Sequence, residues 1–253
     1  MKVKASILLL LISCLLLSCG QPEKTKTYEN PSTEGFDLAY SDPAAVELAD
    51  SVMSAMGGRK NWDKTRFISW NSGDGRNLFW DKELNRVRIE SLEDSTTYLL
   101  NTKTLEGKVQ IKGQTLTIPD SLNKMLSDAK GMWISDSYWL VMPFNLKDNG
   151  VTLKYLGEDT LQAGGLCNVL ELTYSNTGDK PQNKYEVFVD IKDNLIKQWA
   201  YYGNAEKETA EWIKPWDNYQ TYGNILLSAD RSDGAGPKNV KVEKLDDKIF
   251  LEF

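Results

Sequence analysis

Leu166-Cys167-Asn168-Val169-Leu170-Glu171-Leu172-Thr173 is the stretch on which the fold turns. Read as a strand, it sends successive side chains to opposite faces. Cys167 and Val169 then fall on one face, Leu170 and Leu172 on the other. A sheet that is wet on one side alternates apolar with polar, so a strand apolar on both sides needs cover on both.

Strands extend outward from this segment in both directions. Residues 151–156 precede it across Gln162-Ala163-Gly164-Gly165, a hairpin signal. Residues 185–191 and 195–202 follow, joined by Lys192-Asp193-Asn194. Val187, Val189 and Ile191 share one apolar face with Tyr185. Further strands are predicted at 208–214, 222–229, 240–245 and 249–253, with Asp246-Asp247 as the last turn. Upstream, 67–70 and 78–80 flank Ser72-Gly73-Asp74-Gly75. Val87, Ile89 and Ser91 alternate with Arg86, Arg88 and Glu90, which describes a strand with one charged, wet face. Residues 98–100, 109–111 and 116–118 add short strands. About eleven strands at hairpin spacing predict an antiparallel meander.

Two helices interrupt it. Ser41-Asp42-Pro43 supplies a capping side chain and a proline for the first turn. Val46, Ala49, Val52, Met53 and Met56 follow at helical spacing, and Gly57-Gly58 stops the run. Residues 59–64 add a short turn around Trp62. A second helix opens at Pro119-Asp120-Ser121, carries Leu122, Met125, Leu126 and Ala129, and ends before Gly131. Residues 132–134 and 138–144 are the most apolar stretch beyond the N-terminal run. The fold class expected is mainly β: a curved antiparallel sheet, an open half-barrel, wrapped around one or two helices. A seam between helix and sheet can hold an acyl chain where its packing leaves space.

The N-terminus reads differently. Lys2 and Lys4 precede an almost wholly apolar run over residues 5–17. That run is too short to span a bilayer and fits a signal-peptide core. It closes on Leu16-Leu17-Ser18-Cys19, which resembles the lipobox of bacterial lipoproteins. The resemblance implies cleavage before Cys19, lipidation of its thiol and a membrane-bound mature chain. Two or more acyl chains anchor stably. The expected organisation is a signal peptide at 1–18, a lipidated Cys and flexible tether at 19–41, and one half-barrel domain at 42–253.

Composition excludes several classes. The 253 residues are 41% hydrophobic, enough for a core, so global disorder is out. No histidine is present, which removes Ser-His-Asp and Cys-His catalysis and every His-ligated metal site. Net charge is −6, so nucleic acid is not an expected partner, and membrane attachment falls to the lipid alone. No cofactor and no metal are expected; Asp230-Arg231-Ser232-Asp233-Gly234 lacks the ligand alternation and closing Glu of a calcium loop. Cys167 reads as a small buried hydrophobe.

The blocks Ala55-Met56-Gly57-Gly58, Trp62-Asp63-Lys64-Thr65, Ser69-Trp70, residues 138–144 and Lys214-Pro215-Trp216-Asp217 resemble an uncharacterised family of Bacteroidota-type lipoproteins. The whole organisation is similar to the LolA/LolB-like lipoprotein-carrier superfamily, in which an open half-barrel lidded by helices holds acyl chains. The resemblance implies that fold and an envelope compartment, with an acyl or lipoprotein ligand, and it transfers no activity. The few acids after Cys19 point to the periplasm-facing side of the outer membrane, and the expectation is a non-enzyme, with hydrolase left open.

Trp70, Trp80, Trp133, Trp139, Leu170, Val187 and Trp199 are the candidates to line the cavity. Trp212 and Trp216 flank Lys214-Pro215, where a loop is expected, and are the candidates for an exposed aromatic platform. The alternative function is a structural or glycan-binding envelope lipoprotein. Paired carboxylates for glycoside hydrolysis have only Glu171 and Asp190 as candidates in apolar settings.

Overall fold

The structure is a computed structural model that describes residues 29–73, 75–175 and 182–253. The expected signal peptide, Cys19 and the first part of the tether lie outside the described residues.

Helices α1 (Pro43–Ala55) and α2 (Gly58–Lys64) lead into six strands: β1 (Phe67–Asn71), β2 (Arg76–Asp81), β3 (Arg86–Ser91), β4 (Thr96–Asn101), β5 (Gly107–Ile111) and β6 (Gln114–Thr115). Helix α3 (Pro119–Val141) follows. Then come β7 (Val151–Thr160), β8 (Leu166–Tyr174), β9 (Lys184–Asp190), β10 (Ile196–Tyr202) and β11 (Trp212–Pro215). The last strands are β12 (Tyr219–Tyr222), β13 (Ile225–Ser228) and β14 (Lys238–Lys241).

The protein is mainly β, open and antiparallel, as the strand pattern predicts. The described residues hold 14 strands, more than the eleven expected. They form three hydrogen-bonded ladders: β14-β1-β2-β3-β4-β5-β6, β11-β10-β9-β8-β7 and the hairpin β12-β13. The two large sheets end in free edges, so no barrel closes. The three predicted hairpin turns join β1 to β2, β7 to β8 and β9 to β10.

The predicted faces hold in the seven-stranded sheet. Ile68, Leu78, Val87, Ile89, Tyr98, Leu100 and Val109 are buried on its inner face. Its outer face carries Arg86, Arg88 and Glu90 in ion pairs. In the five-stranded sheet Leu170 and Leu172 join the main core, whereas Cys167 and Val169 enter a separate cluster with Leu161, Phe188, Ala200 and Tyr202. From Cys167 to Leu172 the apolar residues on both faces of the decisive strand are therefore covered.

Four local expectations are corrected. The second helix does not end at Gly131 but runs on to Val141. Leu126 and Ala129 are buried before the glycine, and Ser137, Leu140 and Val141 after it. Burial on both sides outweighs the cost of about 1 kcal/mol for an interior glycine. The expected last strand at 249–253 is instead a single 3₁₀ turn at Asp247–Phe250, opened by the Asp246 side chain, which accepts from the Lys248 N–H. Phe250 stacks on Phe67 and lies under Arg86, so the tail covers the outer face of the seven-stranded sheet.

The other two corrections concern residues 29–42. Asp42 does not cap α1. Its carboxylate accepts from the Tyr155 N–H at 3.0 Å, and the Ser41 hydroxyl accepts from the Leu153 N–H at 3.0 Å. Residues 29–41 are not a free tether either. Asn30 is buried: its backbone N–H donates to Asp50, its amide donates to Ser54, and its side-chain oxygen accepts from the Arg59 N–H. The buried Lys147 ammonium closes the clamp on the Asn30 carbonyl and Asp50.

Gly57 makes a close turn at the end of α1. Its φ is 105°, and a Cβ there would meet the Asn224 carbonyl oxygen at 2.3 Å. Only glycine allows α1 to end this close to the β12–β13 hairpin.

Helix α3 crosses the inner face and is pinned to β2 by one pair. The Arg76 guanidinium donates to both oxygens of Asp136, Nε at 2.7 Å and Nη2 at 2.8 Å. Asp136 is buried. Replacing Asp136 by Ala leaves the guanidinium without this partner and is expected to cost about 3 kcal/mol. Urea melts of the variant check this, and a midpoint equal to that of the unsubstituted protein would show that α3 is held by its apolar face alone.

Candidate functional site

The strand register builds an aromatic wall. Trp199 on β10 sits opposite Val187 on β9 and Lys214 on β11. Tyr201 sits opposite Tyr185 and Trp212. Helix α3 lays Tyr138 and Trp139 against them. Ring centroids are 5.2 Å apart for Tyr138–Tyr185, 4.7 Å for Trp139–Trp199 and 5.5 Å for Trp139–Trp212. Trp216, just past β11, meets Trp199 edge-on at 4.9 Å. Nearer the seven-stranded sheet, Trp133 of α3 meets Trp80 at 5.3 Å, and Trp62 stacks on Phe144 at 4.6 Å.

These contacts place every candidate residue. Trp70, Leu170, Val187 and Trp199 are buried members of the main core, and Trp80, Trp133 and Trp139 are half-buried against it. All seven belong to the one main hydrophobic cluster, Trp70 and Trp80 on the seven-stranded sheet, Leu170, Val187 and Trp199 on the five-stranded sheet, and Trp133 and Trp139 on α3. Trp212 is half-buried in the same stack. Trp216 is fully buried, 0% exposed, which corrects the expectation of an exposed platform. Lys214 and Pro215 end strand β11 instead of forming the expected loop, and the guanidinium of Arg231 lies over the Trp216 ring.

Arg231 is the most unusual group in this region. It is buried and forms no ion pair among the described residues. Its Nη2 donates to the Trp139 carbonyl at 2.6 Å, its Nε to the Ser228 hydroxyl at 2.8 Å, and its plane lies 3.7 Å from the Trp216 ring centroid. Burial pulls its pKa down to about 10, which nearby Tyr219, Asp233 and Asp217 oppose. The Trp139 carbonyl belongs to the last turn of α3, where free carbonyls favour a cation. A positive end-cap on α3 is thus held by an indole face rather than by a carboxylate.

The chemistry of the site is apolar. Tyr138 and Tyr174 share a short hydroxyl contact, and burial pushes both phenols up. Cys167 is a free, buried thiol, also pushed up by burial. Glu171 is paired with Lys154 and Lys184 on the outer face of the five-stranded sheet. Among the described residues no group of His, Cys, Asp or Glu is placed to hold a metal ion.

One feature of the inner face has no counterpart among the sequence candidates. Leu170 and Val187 are 0% exposed, but further along the same face Leu166 is 54% exposed and Ile191 43% exposed. The Ile191 N–H meets the Leu166 carbonyl, and the Tyr155 hydroxyl donates to Asn168 at 2.7 Å between them and the covered zone. The concave sheet face thus emerges from under its helices as an exposed apolar lip. Alternation along 166–170 could have found it, because Leu166 must share a face with Leu170.

An open antiparallel half-barrel, lidded by helices and lined with aromatics, is therefore the class the geometry defines. No family model matches the chain, and no curated protein matches it. Among solved structures, the chain is similar to a DUF1329 family protein from Desulfovibrio piger, at 15% identity and TM-score 0.43, over 83% of this chain and 98% of that one. A domain from Vibrio parahaemolyticus named for outer membrane lipoprotein sorting matches at 9% identity and TM-score 0.40, over 82% and 96%. Lipoprotein LppX of Mycobacterium tuberculosis matches at 11% identity and TM-score 0.27, over 68% and 100%.

Replacing Arg231 by Ala removes two charge-assisted donors and the cover of Trp216, and is expected to destabilise the protein by about 3 kcal/mol. Trp fluorescence during urea unfolding measures the loss. A cost under about 1 kcal/mol would mean that water replaces the guanidinium at the helix end.

Proposed function

We propose that the protein is a lipid-anchored envelope protein that binds an acyl-type apolar ligand on the concave face of its half-barrel. Cys19 carries the anchor, and the protein faces the periplasm from the outer membrane. One observation carries the ligand: an apolar sheet face that continues past its helical cover as the lip of Leu166, Ile191 and Tyr155. Contiguous exposed apolar surface on a soluble body marks a contact site. A hydrocarbon chain entering there passes Asn168 and Val189 before Leu170 and Val187, and reaches Trp199, Trp139 and Trp133 by displacing α3 from the sheet. Trp80 and Trp70 stand beyond, against the other sheet. No step of bond making or breaking is proposed.

The close ring contacts of Trp199 with Trp139, Trp212 and Trp216 favour a second reading, a tethered body with no interior ligand. One experiment separates the two. The Cys19→Ala protein, soluble and full length after export, is titrated with a fluorescent fatty acid. Binding that weakens at least about tenfold in Leu166→Glu/Ile191→Glu supports the lip. Absence of binding in the parent, or equal binding in both, defeats it and leaves the tethered body.

The anchor has its own test. Cys19→Ala is expected to move the protein from the membrane fraction to the soluble periplasm, and retention with membranes would remove the lipid anchor from the proposal.

A further inference from the structure

Between the end of α2 and the turn joining β2 to β3 lies a surface cavity of about 410 Å³, lined by Asp63, Lys64, Arg66, Lys82 and Glu83. Its two acids are already neutralised. Asp63 pairs with Arg59 at 3.3 Å, and Glu83 with Arg66 at 3.1 Å. Arg66 also forks onto the buried Asp81. Lys64 and Lys82 take part in no ion pair among the described residues. The cavity is therefore lined by two ammonium groups that form no ion pair among the described residues, although the field of Asp63 reaches Lys82.

Lys82 is held, not free to swing. Its Nζ sits 3.2 Å from the centroid of the Trp62 ring and 5.9 Å from that of Trp80, and donates to the Trp62 carbonyl at 2.5 Å. An ammonium has three N–H donors, and this hydrogen bond uses one of them. A fixed, partly desolvated cation beside an open cavity binds an anion more strongly than a surface lysine does.

We propose that this cavity is a binding site for a phosphodiester-type anion, held by Lys82 and Lys64. The volume exceeds what a bare oxyanion fills and leaves room for its substituents. Lysine serves as a point charge toward phosphate, which needs no bidentate fork. The site is separate from the lip and does not rest on the acyl-ligand reading.

The protonation of Lys82 supplies a signature. Burial pulls its ammonium down to about 7; Asp63 opposes this and Arg59 adds to it. Lys64, Arg66 and Glu83 are the other charged groups on the wall. The anion binds the protonated form, so its affinity is full below about pH 7 and falls above it.

The soluble Cys19→Ala protein is titrated with glycerophosphoglycerol, whose charge is constant over the range used, with Trp62 and Trp80 fluorescence as the readout. Binding is expected to weaken about tenfold from pH 6.5 to pH 8.5, and about tenfold in Lys82→Met at pH 6.5. Lys64→Ala, an exposed change that leaves the fold alone, is expected to weaken it severalfold. Vesicles containing phosphatidylglycerol, run beside the soluble diester, tell a lipid headgroup from a free ligand. No binding to either probe, or binding indifferent to both lysine changes, overturns the proposal. Neither outcome bears on the fatty-acid titration at the lip.

Discussion

The fork between Arg76 and Asp136 is the constraint on which the rest of the structure depends. Helix α3 has 23 residues and lies against β3, β4 and β5 of one sheet, while its last turns face β9 and β10 of the other. Its apolar stripe is interrupted by charged residues and a glycine, so hydrophobic burial alone specifies its rotation poorly. A bidentate pair with one partner buried has a single good geometry. It sets which side chains α3 turns toward the five-stranded sheet. Tyr138 and Trp139, two and three residues on, then fall onto Tyr185, Trp199 and Trp212.

Two cations solve the same problem in different ways. Arg231 and Lys82 both lie on indole faces and lack carboxylate partners within ion-pair distance. Arg231 is spent on the structure, because its other donors reach a helix-end carbonyl and a buried hydroxyl. Lys82 is not, because its side chain borders an open cavity. A buried charge without an opposite charge is costly unless dipoles and π-faces replace the lost water. For Arg231 the replacement reaches Nε and Nη2 but leaves the buried Nη1 without a hydrogen-bond partner among the described residues, and for Lys82 one direction stays open to a ligand.

Much of the fold was legible from local pattern. The two-residue period of 86–91 located a strand and its wet face, and two glycine-containing turns with Lys192-Asp193-Asn194 located three hairpins. The misreadings share one cause. Gly131 ends a helix by propensity, yet burial of Leu140 and Val141 carries α3 past it. Ser41 and Asp42 have capping side chains, but β7 offers them backbone N–H groups instead. Ile249 and Phe250 have strand propensity, but the outer face of the seven-stranded sheet takes them as a 3₁₀ turn. In each case a partner distant in sequence outweighs a local preference of about 1 kcal/mol.

The candidate site divides along the same line. From the sequence alone came the signal-like run before Cys19, the exclusion of histidine chemistry, the aromatic inventory and the two-faced strand at 166–173. These follow from side-chain chemistry and from the two-residue period, which need no knowledge of neighbours. Only the tertiary structure decided that Trp216 lies inside, that Leu170 is covered while Leu166 is not, and that Lys82 lies on the Trp62 ring with no carboxylate at ion-pair distance among the described residues. A strand records which face a residue occupies. Whether that face meets a helix, a guanidinium or water depends on segments tens of residues away, whose approach no local pattern encodes.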